Sequence, residues 1–183
     1  MDVFEAIEKR HSYRGPFTDD PVSRDDLRRI VQAGLLAPSG CNAQTTTFVI
    51  VDEAAEVARL RDLHPRNQAM RSARAYIVGV VDKTAPPVYE ELSFQVEDYS
   101  AAVENILLAV TALGYATVWI DGWLRREGHA ERIGEALGLP EGKVARVILP
   151  IGVAQETNPK RPEKKPFEER AWFNRYGAGD ASA

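Results

Sequence analysis

The longest helical pattern in the chain runs over about residues 88–113, and it leaves the sequence few ways to fold. Val103, Ile106, Leu107, Val110 and Leu113 recur at helical spacing, with Ala101, Ala102, Ala109 and Ala112 between them. A helix that is small and apolar all round must be covered on most sides, either as the centre of its own domain or at a subunit interface. Gly114 supplies its stop.

Shorter elements surround it. Asp2 can cap a helix whose apolar face is Val3, Phe4 and Ile7, and Gly15-Pro16 then forces a loop. Ser23, followed three residues later by Asp26, resembles a capping box. The helix it opens buries Leu27, Ile30, Val31 and Leu35, with Pro38 just beyond its end. Residues 46–51 read as a strand, 53–63 as a helix, and 76–81 as a second strand after a short polar segment. Pro86-Pro87 breaks the chain again. A third strand over 115–120, a helix over 129–137 closed by Gly138, and a fourth strand over 144–151 complete the pattern. This predicts an α+β architecture of three or more helices against a sheet of about four strands. Beyond Ala154 the chain is polar and basic until Phe167, Trp172, Phe173 and Tyr176, aromatics that need another surface to bury them. Residues 1–176 are expected to form one domain, with 177–183 a frayed, flexible tail.

The overall balance narrows the function classes. A chain of 183 residues can bury a sizeable core, and a net charge of −4 offers no general attraction to nucleic acid or to an anionic membrane. The single cysteine rules out an internal disulfide and suits a reducing cytosol. The N-terminus is interrupted by Asp2, Glu5, Glu8, Lys9 and Arg10, so it is no secretory leader, and no stretch approaches a membrane span. A cytoplasmic protein is expected.

Two segments carry most of the chemistry. In Arg10-His11-Ser12-Tyr13-Arg14, residues 10, 12 and 14 alternate, so an extended backbone projects two guanidiniums and a hydroxyl to one side, where they suit an anion. The competing reading is a solvated helix end whose basic residues complement the dipole. In Ala37-Pro38-Ser39-Gly40-Cys41-Asn42-Ala43-Gln44, small residues let the backbone approach a flat ligand, and the amides of Asn42 and Gln44 suit a pyrimidine edge. Asn67 could serve likewise, although turn chemistry accounts equally well for all three amides. A nucleophile at Ser39 or Cys41, with His11 as base, is disfavoured because no G-x-S-x-G elbow is present. His11, His64 and His129 are scattered and form no metal motif. Arg161, Lys164 and Lys165 form a second basic cluster, and Trp119 and Trp123 flank Asp121-Gly122 at a strand end.

In combination these segments resemble the FMN-dependent nitroreductase family. Arg10, Ser12 and Arg14 match its R-x-S-x-R/K segment, and residues 37–44 match its A-P-S-x-x-N-x-Q. Leu113-Gly114-Tyr115-Ala116-Thr117-Val118-Trp119-Ile120 looks like its L-G-x-x-[ST]-x-W-[IL] strand. Pro150-Ile151-Gly152 and Lys164-Lys165-Pro166-Phe167-Glu168-Glu169 look like its P-[IL]-G and its basic-pair tail. The resemblance implies a nitroreductase-like fold with a mostly antiparallel sheet of four to five strands, and a homodimer holding FMN at the subunit interface. It further implies that the C-terminal segment lies over the partner.

By the same resemblance, Arg10, His11, Ser12, Arg14, Lys164 and Lys165 would hold the phosphate, ribityl chain and pyrimidine. Pro38, Ser39, Gly40 and Asn42 would come from the other subunit, Asn67 would meet the pyrimidine, and backbone at Asp121 and Gly122 would approach the isoalloxazine. The implied activity passes electrons from NADH or NADPH to a small acceptor, such as a nitroaromatic or quinone, in a ping-pong cycle with no catalytic side chain. Divergent family chemistries (flavin breakdown, dehalogenation, dehydrogenation) and a non-catalytic flavin sensor are the alternatives. Two departures stand out. Gln44-Thr45-Thr46 replaces the family's Q-P-[WH], and Asp121 places an acid near the flavin edge, where it would oppose an anionic reduced flavin unless it points away.

Overall fold

The near-continuous apolar run Ala75–Val81 forms a strand covered on both faces, and that strand organises the fold. The computed structural model of the protein describes residues 1–156 and 162–178. In chain order its helices are α1 (Val3–Lys9), α2 (Arg24–Leu35), α3 (Ala54–Leu63), α4 (Gln68–Ser72), α5 (Gln95–Ala112) and α6 (His129–Ala136). The strands are β1 (Thr47–Val51), β2 (Ala75–Asp82), β3 (Ala116–Thr117) and β4 (Lys143–Gly152). They form one sheet in the order β1-β2-β4-β3 with every neighbouring pair antiparallel. Val51 lies opposite Tyr76, Ala75 opposite Ile151, and the β2–β4 register shifts once at Gly79/Val80.

Alternation along β2 sorts the core into two. Tyr76, Val78 and Val80 face a cluster with Leu60, Met70, Ile133 and Ile148, so α3, α4 and α6 cover that side. Ala75, Ile77 and Val81 face Leu27, Ile30, Val103, Ile106 and Leu149, under α2 and α5. Gly34 brings α2 close to α5, since a Cβ there would stand 2.8 Å from the Ile106 side chain and 3.1 Å from the Ala102 carbonyl oxygen. Both expected caps are present: Asp2 accepts from the Glu5 N–H at 2.9 Å and Ser23 from the Asp26 N–H at 3.0 Å.

Four expectations are corrected. The long helix starts at Gln95 rather than near 88, because Val88 and Leu92 close a tight turn after the prolines, with Glu90 at φ 50°. Gln95 then clasps the end of β2, its Oε1 accepting from the Asp82 N–H and its Nε2 donating to the Asp82 carbonyl, both at 3.0 Å. The third strand is only two residues long, rejoining β4 through an isolated bridge between Ile120 and Ile148. The polar stretch after His64 contains α4, which was too short to show a period. Finally, the face Val3, Phe4, Ile7 and the end residue Leu35 are not buried within one chain. Their exposures are 57%, 75%, 52% and 53%, because Ala6 is the α1 side chain buried in the fold. Leu36 and Val96 are exposed as well. No described helix is long and apolar enough to cross a membrane.

Helix α4 is fixed to the sheet by Tyr76, whose buried hydroxyl donates to the Met70 carbonyl at 2.5 Å. Burial pushes that phenol well above its ordinary pKa, so it remains a donor at every working pH. Tyr76→Phe should lower the unfolding free energy by about 1–2 kcal/mol, read by urea titration, because the Met70 carbonyl loses its partner.

Candidate functional site

After α1 the chain extends, and Tyr13 pins it. Tyr13, whose ring is buried, donates its backbone N–H to the Thr117 carbonyl at 2.9 Å, laying residues 10–14 along the outer edge of β3. Its hydroxyl donates to the Pro16 carbonyl at 2.5 Å and accepts from the N–H groups of Gln155 and Glu156 at 3.1 and 3.2 Å. Around this anchor, Arg14 is exposed with no carboxylate partner among the described residues, and Ser12 is half-buried. Arg10 Nε lies 3.4 Å from Glu104 Oε1 on α5. His11 donates from Nδ1 to the Lys9 carbonyl at 3.0 Å, which leaves Nε2 as an acceptor. That Nε2 is buried without any partner, and so is the Thr117 Oγ1. Orphaned polar atoms on two segments joined by one backbone bond are what a polar ligand site looks like before its ligand arrives.

The second segment is pinned to the first turn of α5. The buried Asp98 carboxylate accepts from the Gly40 N–H at 2.8 Å and from the Thr45 hydroxyl at 2.7 Å. Ser39 Oγ accepts from the Gln44 N–H at 3.0 Å, and a Cβ at Gly40 would collide with the Phe94 ring. Cys41, Asn42 and Gln44 all adopt positive φ, between 50° and 54°. Left-handed conformations cost about 1–3 kcal/mol each outside glycine, so the anchors hold a shape the free chain would avoid. Thr45, which departs from the family pattern, therefore fastens the loop to α5 through its hydroxyl.

One chain does not bring the two segments into one cavity. The first meets α5 at Glu104 and the second at Phe94 and Asp98, about two turns away. The cleft beside the second is lined by Gln32, Gly34, Pro38, Ser39, Thr45 and Asp98 among others, with nothing from residues 10–14. Elsewhere, Asn67 caps α4, its Oδ1 accepting from the Met70 N–H at 3.0 Å, which leaves the Nδ2 hydrogens to donate. The Asp121 carboxylate is gripped by Arg125, with Nη2 2.7 Å from Oδ2, and approached by Arg146 Nη1 at 3.3 Å. Its charge is thus offset by two guanidiniums. Gly122 is open, with nothing within reach of an added Cβ. Lys164 is exposed and Lys165 pairs with Glu169 at 3.4 Å, while Arg161 lies outside the described residues. The tail aromatics pack on one another, Phe167 on Phe173 at 6.2 Å and Trp172 on Tyr176 at 4.3 Å.

The sequence profile described as the nitroreductase family matches residues 7–74 and 61–153. The chain belongs to the nitroreductase family. A relative from Archaeoglobus fulgidus, named for NADH dehydrogenase and NAD(P)H nitroreductase, is 32% identical over 174 residues, 94% of each chain. An FMN-dependent nitroreductase structure from Clostridium difficile superposes with a TM-score of 0.76 at 25% identity, covering 94% of this chain and 99% of that one. A nitroreductase from Desulfovibrio desulfuricans, crystallised in complex with FMN, gives 0.74 at 27% identity over 92% and 94%.

This nitroreductase-family chain also holds a cluster that local spacing does not reveal. His64 stacks on Trp123 with ring centroids 4.2 Å apart and planes 1° from parallel, and His129 lies against the same indole at 4.1 Å. Burial and the nearby His129 lower the pKa of His64. The histidines that looked scattered therefore meet. A tertiary contact through α3 and α6 joins them, and only the placement of Trp123 beside Asp121-Gly122 hinted at it.

Two outcomes follow from these contacts. Asp98→Ala strands the Gly40 N–H and the Thr45 hydroxyl, so it should cost about 2–3 kcal/mol in urea unfolding and speed amide exchange at Gly40; Asp98→Asn keeps an acceptor and should lose less. Burial and the nearby His129 make His64 harder to protonate when folded than when unfolded, where it titrates near its ordinary 6.5, so it withdraws stability as pH falls below that value. The fall in Tm between about pH 7 and about pH 5 should be shallower in His64→Gln.

Proposed function

We propose that this protein is a homodimeric, FMN-dependent oxidoreductase that passes electrons from NADH or NADPH to a small aromatic or quinone acceptor. The observation that carries the reading is the buried, unpartnered Nε2 of His11, in the same five-residue segment as the carboxylate-free guanidinium of Arg14. A phosphorylated polyol offers what this corner lacks: hydroxyls to donate to Nε2 and an anion for the guanidinium. The donor set fits FMN in its remaining parts. Arg10 would exchange Glu104 for phosphate, Ser12 and the exposed Lys164 and Lys165 would complete the anion grip, and the free Nδ2 of Asn67 would donate to a pyrimidine carbonyl.

Dimerisation supplies the rest. Pro38, Ser39, Gly40 and Asn42 would come from the partner, since within one chain they and residues 10–14 lie apart along α5. The uncovered apolar residues of α1, the end of α2 and the tail aromatics are the surface such a partner would bury, with the C-terminal segment laid across it. The cytoplasm is the compartment this reading favours, where the exposed Cys41 thiol stays reduced.

Bound FMN supplies the hydride and electron chemistry. This chain's residues bind it, shield it and set its electrostatics. With Asp121 held by Arg125 and Arg146, the acid would not present an uncompensated charge to a flavin held near Gly122. The dinucleotide and the acceptor take turns at that open edge, which is a ping-pong cycle. Purified protein should be yellow and run at the mass of two chains, and NADH or NADPH should bleach it in a stopped-flow trace. Arg14→Ala should weaken FMN binding about tenfold, measured by fluorescence titration of the stripped protein. A colourless chain that refuses FMN would overturn the reading; bound flavin that neither dinucleotide reduces would overturn its reductase part.

A further inference from the structure

We propose that the cleft beside Gly122 and Trp123 is a binding site for a planar aromatic monocarboxylate, which makes such acids a preferred acceptor class of the reductase. The last clause rests on the reading above, because it takes Gly122 to border the reacting ring; the binding site itself does not. The cleft encloses about 640 Å³ between the loop His64-Pro65-Arg66 and the segment Gly122–His129, within the range of small-ligand sites.

Its lining supplies two kinds of recognition. Trp123 carries the imidazole of His64 stacked on it and that of His129 tilted 37° against it, a three-ring aromatic cluster on one side of the cleft. A ligand ring can pack on the outer rings of such a cluster at little conformational cost. Arg66 and Arg126 supply the charge. Neither has a carboxylate partner among the described residues, whereas the adjacent Arg125 is locked onto Asp121. Guanidinium forks match a carboxylate in plane and can also lie over aromatic rings.

The charge balance selects the ligand. Glu127 is the one carboxylate on the lining, against two guanidiniums. His64 has its pKa lowered and is neutral at neutral pH, and His129 donates from Nδ1 to the Arg126 carbonyl at 2.5 Å, leaving Nε2 toward other partners. The start of α6 at His129 adds the positive end of a helix. A surplus of about one positive charge accommodates one carboxylate, while Glu127 opposes a dianion such as a phosphate monoester.

The test compares 4-nitrobenzoate with 4-nitrobenzamide, which share shape and differ in charge. Calorimetric titration of the purified holoprotein, without reductant, should show the acid binding about five- to tenfold more tightly than the amide. In the double variant Arg66→Gln/Arg126→Gln that ratio should fall to about twofold or less, and with NAD(P)H the same collapse should appear in the ratio of KM values. Equal binding of acid and amide, or no binding of either, overturns the proposal. So does a double variant that raises KM for the dinucleotide and leaves the acid's affinity intact, which would assign the arginines to a pyrophosphate instead. Charge-selective binding by a protein that reduces neither compound would keep this site and sink the reductase reading. A yellow, active protein blind to the carboxylate would do the reverse.

Discussion

Everything in this molecule hangs on burying both faces of β2. A strand with apolar side chains on alternate sides cannot be half solvated, so helices must close on it from above and below. One side draws α3, α4 and α6 onto the sheet, and the other draws α2 and α5. The candidate site segments are the connections between those helices and the strands. Residues 10–14 are held by β3, residues 38–44 by α5, and Asn67 by α4, whose own position depends on the Tyr76 hydroxyl. Site geometry is therefore set by core packing at one remove.

The electrostatics follow the same division of labour. Acids that could repel an anionic cofactor are occupied: Asp121 by Arg125 and Arg146, and Asp98 by a backbone amide and a hydroxyl. Arg14, Arg66 and Arg126 remain without carboxylate partners among the described residues, at the two places where a charged ligand would be welcome. Beside Arg126, by contrast, Arg125 and Arg146 are both engaged by Asp121.

Much of the architecture was legible from period and punctuation. The Asp2 and Ser23 caps, the C-terminal end of the long helix and the inner strands were each signalled within a few residues of where they lie, because capping side chains and apolar alternation are local physics. What escaped was tertiary. Gln95 marks the true start of α5 through a clasp on Asp82, which no spacing shows. Val3, Phe4, Ile7 and Leu35 carry a core-like pattern yet stay uncovered, since a pattern states that a face is apolar and not which chain covers it. In the candidate site the small-residue and arginine motifs were legible. The His64–Trp123–His129 contact, made by residues far apart in sequence, was not.

The loop that Asp98 holds has a consequence for how two such chains would meet. Its three left-handed residues are fixed by bonds within their own subunit, so their backbone freedom is surrendered when the chain folds and not when partners associate. Docking of two chains would then join surfaces already in their final shape, and the entropy of ordering a loop would not be charged to the encounter. The rate at which subunits find one another would be limited by collision and orientation rather than by a slow rearrangement of the segment that completes each site.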